Sequence, residues 1–249
     1  MSLGKLDPCY AIIPARYHSS RFPGKVLADI KGRPMFWHVY HQAKKCALLK
    51  DVFLATDHQL IFDKAKALNV PVVLTSTKHK TGTDRLVEAA AKLKLNAKSI
   101  ILNLQADEPL LKPQMLEQLL IPFTDPKVHV TTLARPISLT EAQSPHQVKV
   151  VLAQNNLALY FSRSIIPYPD NPEIKLWGHI GLYGYRYDLL QAFAKMPQTP
   201  LEKTEKLEQL RLLENNIAIY VSKTQERTIG VDTPEDLAKV KAIMEKNSN

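Results

Sequence analysis

A segment of twelve residues, from Pro14 to Lys25, concentrates groups that could bind phosphate. It carries the permanent cations Arg16, Arg21 and Lys25 together with serine hydroxyls and a glycine, and it follows an apolar run at residues 10–14. Guanidinium, ammonium and backbone amide groups are the donors that a polyphosphate requires. Neither a Walker A loop nor a G-x-G-x-x-G fingerprint is present. We interpret the segment as a phosphate-binding loop, with a solvated basic loop as the alternative.

A second cluster, TGTDR at residues 81–85, follows the apolar run at residues 70–74. Thr83 or Asp84 could simply cap a helix that begins here. The amino end of the same helix could also receive a nucleotide phosphate. The cluster alone does not choose between these two interpretations.

Carboxylates follow two further runs that have β-strand character. Asp107 and Glu108 lie between an apolar run and a proline, and Asp232 also precedes a proline-containing turn. In a doubly wound sheet such strand ends meet at one edge. Because magnesium is commonly held by one or two carboxylates plus phosphate oxygens and water, Asp107 and Asp232 are predicted to share one ion. The alternatives are an acidic surface turn and a helix start capped by Thr233.

Two later segments carry polar side chains suited to a substrate. Arg163 places a cation after an apolar run, and alternation from residue 179 puts His179, Gly181, Tyr183 and Tyr185 on one face of a strand. A histidine in a strand is also commonly a core residue with a satisfied hydrogen bond.

A helix predicted at residues 202–213 carries charged residues spaced by three. They are Glu202, Glu205, Glu208 and Arg211. From the spacing alone we interpret them as a solvated helix face with weak ion pairs.

Apolar runs alternate with helical patterns through the first half of the chain, which predicts an α/β fold with a doubly wound, mostly parallel sheet. The predicted strands are residues 10–14, 51–55, 70–74 and 99–104, and the predicted helices are residues 34–48, 59–68, 84–95 and 113–120. Residues 128–185 form a strand-rich insertion. The expected remaining elements are helices at 187–195, 202–213 and 234–246 and a strand at 217–221. A single domain spans residues 9–249, with 1–8 as a tail or expression remnant.

Composition limits the classes of protein that this chain can be. The 249 residues are 45% hydrophobic with a formal net charge of +9, and the two cysteines, Cys9 and Cys46, form no C-x-x-C pair. No run has the length of a membrane span, and the first residues lack a secretory signal, so we expect a cytoplasmic protein without membrane association. Dispersed lysines and an aromatic fraction of 7% argue against a nucleic-acid-binding face.

Taken in order, these segments resemble the 3-deoxy-manno-octulosonate (Kdo) cytidylyltransferase family. The matching segments are IPARYHSSRFPGK from Ile13, ATD from Ala55, TGTDR from Thr81, NLQADEP from Asn103, VKVV from Val148, ALYFSRSIIPY from Ala158, HIGLYGYR from His179, LEKTEKLEQLRLLE from Leu201 and GVDTPEDL from Gly230. Some are generic individually, but the ordered set covers nearly the whole chain.

The resemblance implies a Rossmann-like nucleotidyltransferase whose strand-rich insertion serves sugar binding and dimerisation. It implies transfer of CMP from CTP to the anomeric hydroxyl of Kdo, with Mg2+ as cofactor, for lipopolysaccharide biosynthesis. The partners it implies are CTP, Kdo and a second copy of the chain in a homodimer.

The resemblance also implies a role for individual residues. Catalysis is assigned to Arg16, Lys25, Asp107 and Asp232, of which Asp107 and Asp232 bind the metal. Nucleotide binding is assigned to Ala15, Arg16, Ser19, Arg21, Lys25, Thr81, Gly82 and Arg85. Sugar binding is assigned to Gln105, Arg163, His179, Tyr183, Glu208 and Gln209, with Arg163 paired to the sugar carboxylate.

The chain departs from the family pattern at two positions. Ala106 stands where the family commonly has glycine, and Thr81 stands where it usually has serine. If the backbone at residue 106 required a positive φ, alanine would cost about 1 kcal/mol of strain. Thr81 keeps the hydroxyl, so an active enzyme is expected.

Three other functions remain as alternatives. A CMP-sialate synthetase performs the same chemistry on a different acid sugar. A sugar-1-phosphate nucleotidyltransferase would instead give a diphosphate-linked sugar. A basic nucleic-acid-binding protein is the alternative that is not an enzyme.

Overall fold

The computed structural model describes residues 6–18, 22–79, 81–171 and 174–246. The strands in these ranges are β1 (Cys9–Ala15), β2 (Asp29–Ile30), β3 (Arg33–Pro34), β4 (Asp51–Thr56), β5 (Val72–Leu74), β6 (Ile100–Asn103), β7 (Val130–Ile137), β8 (Lys149–Leu152), β9 (Ala158–Ser162), β10 (Leu176–Arg186) and β11 (Tyr220–Lys223). The helices are α1 (Met35–Ala43), α2 (Gln59–Ala67), α3 (Gly82–Lys92), α4 (Pro113–Leu120), α5 (Leu139–Ala142), α6 (Tyr187–Lys195), α7 (Pro200–Glu205), α8 (Leu210–Glu214) and α9 (Pro234–Lys246).

The chain divides into two compact units. The first comprises Asp7–Glu117 and the segment from Arg227 onward, and the second is built mainly from Gln118–Glu226. Within the described residues, no helix combines the length and the apolar character needed to cross a bilayer.

Parallel strands form the sheet of the first unit. β1 pairs with β4 on one side and with β6 on the other, and β5 extends the sheet beyond β4. β1 is almost entirely buried, as expected for a strand covered on both faces. The parallel α/β arrangement confirms the predicted fold class. Its consequence is that the segments after β1, β4 and β6 emerge at the same edge of the sheet.

A short hairpin, β2–β3, was not predicted from the sequence. Its turn residues, Lys31 and Gly32, have φ values of 50° and 77°, which is the backbone of a two-residue type I′ turn. Ile30 and Met35, which begin and follow this turn, pack in a cluster with Val231 and Val240. The cluster fixes the C-terminal segment against the hairpin within the first unit.

Antiparallel strands dominate the second unit. β10 pairs with β7 and with β8, β8 pairs with β9, and β11 lies parallel to β7. The pairing of β10 with β7 shifts register between Ile180 and Tyr183. Ring contacts nevertheless connect His179 to Tyr183 and Tyr183 to Tyr185, so these three side chains share a face as predicted.

The single helix predicted at residues 202–213 is wrong, because the chain forms two short helices, α7 and α8. Lys206 ends α7 in the left-handed conformation, with φ 54°. Leu207 and Leu210, which follow this break, are buried. The interpretation of the charged residues as a solvated face is also wrong, since Glu202 and Arg211 are each only 5% exposed.

Candidate active site

Three charged side chains of the first unit converge at the carboxyl edge of the parallel sheet. Lys25 Nζ lies 2.5 Å from Asp107 Oδ2 and 2.8 Å from Asp232 Oδ1. The side chains of Lys25, Asp107 and Asp232 are 12%, 26% and 45% exposed, respectively. The two carboxylates, separated by more than a hundred positions in the sequence, therefore come within reach of one cation, as the sequence predicted.

The carboxylates of Asp107 and Asp232 stabilise the positive charge of Lys25. Burial disfavours the charged ammonium of Lys25, but the charges and hydrogen bonds of Asp107 and Asp232 outweigh burial and raise the Lys25 pKa above its ordinary value. Lys25 is therefore fully protonated at neutral pH.

Hydrogen bonds of the backbone bring Asp232 to this position. Val231 N donates to Asp107 O at 2.9 Å, and the Val231 side chain is fully buried. On the other side, Asp236 N donates to Thr233 Oγ1, so Thr233 caps α9 as predicted. Asp232 thus lies between the buried side chain of Val231 and the start of α9, which Thr233 caps.

Glu108 adds a second carboxyl group beside Asp107. Burial and the neighbouring Asp107 charge raise its pKa to about 7, although a hydrogen bond from Thr228 Oγ1 opposes the shift. At neutral pH it therefore carries only a fraction of a negative charge.

The loop after β1 is closed by its own backbone. Gly24 N donates to Tyr17 O at 2.8 Å, and Gly24 has φ 68°, a value that favours glycine. Tyr17 also stacks on His58 with ring centroids 4.0 Å apart. Ala15 is buried at the end of β1, and Arg16 follows half-buried. The predicted nucleotide ligands Ser19 and Arg21 lie outside the described residues.

Thr81, and not Thr83 or Asp84, caps helix α3. The Thr81 hydroxyl accepts a hydrogen bond from Asp84 N, and the Asp84 carboxylate accepts one from Thr81 N. Gly82 begins the helix, and a side chain there would meet only Pro14 at an ordinary contact distance. The helix start predicted from this cluster is confirmed, while a phosphate at its amino end stays a prediction.

The structure places Arg85 in the interior, which differs from the direct nucleotide contact expected. Its side chain is fully buried and donates to Thr75 Oγ1 at 2.5 Å and to Asp57 Oδ2 at 2.6 Å. Thr75 in turn hydrogen-bonds Thr56 O at the end of β4. We therefore assign Arg85 a positioning role, because it ties the carboxyl ends of β4 and β5 together.

Glu88 orders the segment that leads to Thr81. It accepts hydrogen bonds from Ser76 N and from the His79 ring, and it pairs with Lys92. Burial opposes ionisation of Glu88, but hydrogen bonds from Lys92, Ser76 and His79 outweigh it and lower the Glu88 pKa to about 2.

In the second unit, Arg163 is held by backbone carbonyl groups. Its guanidinium donates to the carbonyl oxygens of Glu205 at 2.8 Å, Pro145 at 3.0 Å and Lys206 at 3.4 Å. The Glu205 carboxylate, which the sequence did not single out as a ligand, accepts from Ser162 Oγ and Arg163 N. Five N–H groups are present on a guanidinium, so these bonds occupy three of them.

The remaining polar residues of the second unit lie in a largely buried setting. Burial lowers the pKa of His179 to about 3, and its Nε2 lies 3.0 Å from Thr132 Oγ1. Burial and the Glu208 charge raise the Tyr183 pKa well above its ordinary value, although a hydrogen bond with the Thr132 side chain opposes the shift. Gln209 Nε2 is buried and makes no hydrogen bond with any residue in the described ranges.

A buried ion pair explains the turn that carries Glu208 and Gln209. Arg211 donates to both carboxylate oxygens of Glu202, at 2.8 and 2.5 Å, and its guanidinium lies 3.8 Å from Glu208. Such bidentate pairs fix both partners. The pair therefore links α7 to α8 and sets the position of the turn.

The donors around Lys25 suit magnesium better than a metal that needs an all-protein site. Among the described residues, no three His, Cys, Asp or Glu side chains converge in a way that could hold a metal ion. Magnesium is compatible with two carboxylates, because phosphate oxygens and water complete its coordination. Asp107 and Asp232 fit that requirement.

A parallel α/β sheet with a basic loop and paired carboxylates at its carboxyl edge defines the Rossmann-like nucleotidyltransferase class. Residues 10–224 match the family described as cytidylyltransferase. The chain is 53% identical over 244 residues to the 3-deoxy-manno-octulosonate cytidylyltransferase of Nitratidesulfovibrio vulgaris (strain DP4), covering 96% of this chain and 97% of that protein. It is 47% identical over 236 residues to the protein of the same name from Myxococcus xanthus (strain DK1622), covering 94% and 95%. The chain therefore belongs to the cytidylyltransferase family, among the 3-deoxy-manno-octulosonate cytidylyltransferases.

Solved structures agree with this family membership. The chain is similar to CMP:2-keto-3-deoxy-manno-octonic acid synthetase complexed with CTP, with a TM-score of 0.92 and 43% identity over 97% of this chain and 100% of that one. It also shares the fold of 4-diphosphocytidyl-2C-methyl-D-erythritol synthase, with a TM-score of 0.66 at 13% identity, over 96% of this chain and 100% of that one.

Proposed function

We propose that this chain transfers the CMP group of CTP to the anomeric hydroxyl of Kdo, giving CMP-Kdo and pyrophosphate. The observation that carries the proposal is the convergence of Lys25, Asp107 and Asp232 at the carboxyl edge of the sheet. The relatives that bear the name of this activity cover nearly the whole chain, which supports the choice of substrates.

The reaction requires that strongly repelling anions approach each other. The anomeric oxygen of Kdo forms a bond to the α-phosphorus, the bond from that phosphorus to the β-phosphate oxygen breaks, and the hydroxyl proton is released. CTP and Kdo together bring roughly five negative charges to one place, so close approach needs positive charge from the protein. We assign Arg16 and Lys25 to the triphosphate, with Ser19 and Arg21 as further predicted ligands.

Asp107 and Asp232 would hold the magnesium ion. When bound, magnesium supplies positive charge to the α-phosphate oxygens, where charge accumulates during transfer. The carboxylates themselves fix the position of that charge, and the backbone bond from Val231 N to Asp107 O keeps the two side chains together. Thr81 and Gly82 would offer the amino end of α3 to the nucleotide.

The polar residues of the second unit suit a hydroxylated acid sugar. Among the described residues, the guanidinium of Arg163 makes three carbonyl bonds. Two of its five N–H groups would therefore be available to the sugar carboxylate. The buried amide of Gln209 and the neutral ring of His179 suit hydroxyl groups. We keep Tyr183 and Glu208 of this unit, and Gln105 of the first unit, as further proposed sugar ligands.

The proposal extends to the setting of the enzyme. It includes a role in lipopolysaccharide biosynthesis, a cytoplasmic location and a homodimer formed through the strand-rich residues 128–185. Static light scattering at micromolar concentration tests the dimer, and a monomer would contradict it.

Pyrophosphate release from CTP, UTP, ATP and GTP, each with Kdo or sialic acid, tests the reaction. We expect rapid release only with CTP and Kdo. Preference for sialic acid would favour a CMP-sialate synthetase, and a diphosphate-linked product formed from a sugar-1-phosphate would favour that class of nucleotidyltransferase. Comparable turnover with all the nucleotides would contradict the assignment.

A further inference from the structure

The ammonium of Lys25 and the proposed magnesium ion depend on the same carboxylate groups. Lys25 Nζ donates to Asp107 Oδ2 at 2.5 Å and to Asp232 Oδ1 at 2.8 Å. Magnesium requires carboxylate oxygens at about 2.0–2.1 Å and tolerates little distortion of its coordination. The ammonium therefore lies on the same side of both carboxylates that a shared ion would have to approach.

The two cations cannot both occupy this position. An ion bound to both carboxylates would lie within a few ångströms of the ammonium, and like charges at that separation repel strongly where water is partly excluded. Lys25 is only 12% exposed, so solvent screens the repulsion poorly. Either cation must leave the carboxylates when the other binds.

Lys25 is suited to such an exchange. A lysine carries its charge on a flexible four-carbon stem and can move the charge without moving the backbone. Its partners are also partly open to solvent, at 26% and 45% exposure. The contrast is Lys149, which is fully buried and donates to the carbonyl oxygens of Ser144 and Arg163.

We infer that Lys25 and magnesium compete for Asp107 and Asp232, so that the metal enters together with the nucleotide. The triphosphate delivers the ion and at the same time supplies a new anionic partner for the displaced ammonium. This role makes Lys25 a positioning residue for metal loading, in addition to its proposed phosphate contact. The inference rests on the proposed function for the identity of the metal and the triphosphate.

Binding of Mn2+ to the nucleotide-free full chain, followed by the loss of the free-ion paramagnetic resonance signal, tests the competition. Lys25→Met should bind Mn2+ about tenfold or more tightly than the wild type, because the competing charge is gone. Lys44→Met is the matched control, since Lys44 forms an exposed pair with Asp51 in the same unit, and its affinity should equal that of the wild type.

Further variants show whether the tighter Mn2+ binding of Lys25→Met depends on Asp107 and Asp232. Adding Asp232→Asn to Lys25→Met should remove the gain. Lys25→Gln provides a second substitution if Lys25→Met folds poorly, and a Mn2+-dependent rise in its melting temperature reports binding independently. The wild type should show little such rise without nucleotide.

Equal or weaker Mn2+ binding by both Lys25 variants would overturn the competition, as would tight binding to the nucleotide-free wild type. These measurements use the metal alone, so they do not depend on which nucleotide or sugar the enzyme accepts. Absence of pyrophosphate release with CTP and Kdo would contradict the proposed function. Absence of tighter Mn2+ binding by the Lys25 variants would contradict only the competition between Lys25 and the metal.

Discussion

Lys25 in the first unit and Arg163 in the second are both cations that the sequence marked as ligands, but their partners differ in kind. Lys25 is bound by two partly exposed carboxylates, whereas the guanidinium of Arg163 is bound by three backbone carbonyl groups. Carboxylates exchange one cation for another, because they also bind metals. Backbone carbonyls that are part of a turn fix a guanidinium in place.

The comparison separates two ways of preparing a site for an anion. The first unit holds mobile charge that can be redistributed when a nucleotide arrives. The second unit holds fixed charge, with Arg163 tied to Pro145 and to the end of α7. Substitutions in the first unit should therefore change chemistry, and those in the second should change substrate affinity and stability.

The largest effect is expected for the carboxylates. Asp107→Asn and Asp232→Asn should each slow single-turnover CMP transfer by about 100-fold or more, because the charge that holds the ion is lost and several kcal/mol of stabilisation go with it. Their melting temperatures should change little, since neither side chain fills the core. Near-normal rates at saturating magnesium would remove both residues from the metal site.

Arg163→Ala should raise the Michaelis constant for Kdo by about 30-fold or more, since a lost ion pair to a desolvated carboxylate costs about 2–5 kcal/mol. The Michaelis constant for CTP should change much less. Arg163→Lys is the control: it keeps the charge but has three N–H donors instead of five, too few for the three carbonyl groups and the sugar carboxylate together, so recovery should be partial. An equal rise for both substrates would move Arg163 out of the sugar site.

His179 should make the second unit less stable in acid. Burial lowers its pKa to about 3, while an unfolded histidine titrates near about 6.5. Between these values the unfolded state binds a proton that the folded state does not, so the free energy of unfolding falls as the pH drops below about 6.5. Integration gives a loss of about 2 kcal/mol between about pH 7 and pH 5 from this residue.

Urea unfolding at both pH values, for the wild type and His179→Gln, measures this contribution. The difference between the two pH values should shrink in the variant. An unchanged difference would mean that His179 is protonated in the folded chain.

The smallest effect concerns Ala106. It is buried, and it is not among the residues with positive φ in the described part of the chain. The strain that would follow from a left-handed backbone is therefore absent, and Ala106→Gly should destabilise the chain by about 0.5–1 kcal/mol. A more stable glycine variant in urea unfolding would show that the alanine is strained.

Features that follow from strand ends were predictable from the sequence. Asp107 lies just beyond β6, at the carboxyl edge of the parallel sheet, as the strand-end rule predicted. The β-like run expected before Asp232 forms no strand, and the backbone bond from Val231 N to Asp107 O brings Asp232 to this edge instead. The cap at Thr233 followed from the proline after it. The positions of Asp107 and Thr233 were each indicated by a pattern local to one element.

Features that depend on where the chain turns and how its elements pack against one another were not predictable. The Glu202–Arg211 pair was not predicted, because the regular spacing of the charged residues indicated one continuous helix. In the structure, the helix ends at Lys206. Burial of Arg85 against Asp57 and Thr75 depends on how α3 packs over two strands. Neither the spacing nor the charge of these residues indicates which partner they meet.

The fate of the individual phosphates of CTP is the sharpest test of CMP transfer by this chain. The purified chain would be incubated with Kdo and magnesium, using CTP labelled either at the α-phosphate or at the γ-phosphate. We expect the α label to appear in CMP-Kdo and the γ label to appear in pyrophosphate, in equal amounts. Transfer of the γ label to the sugar, or release of pyrophosphate without α label on the sugar, would contradict it.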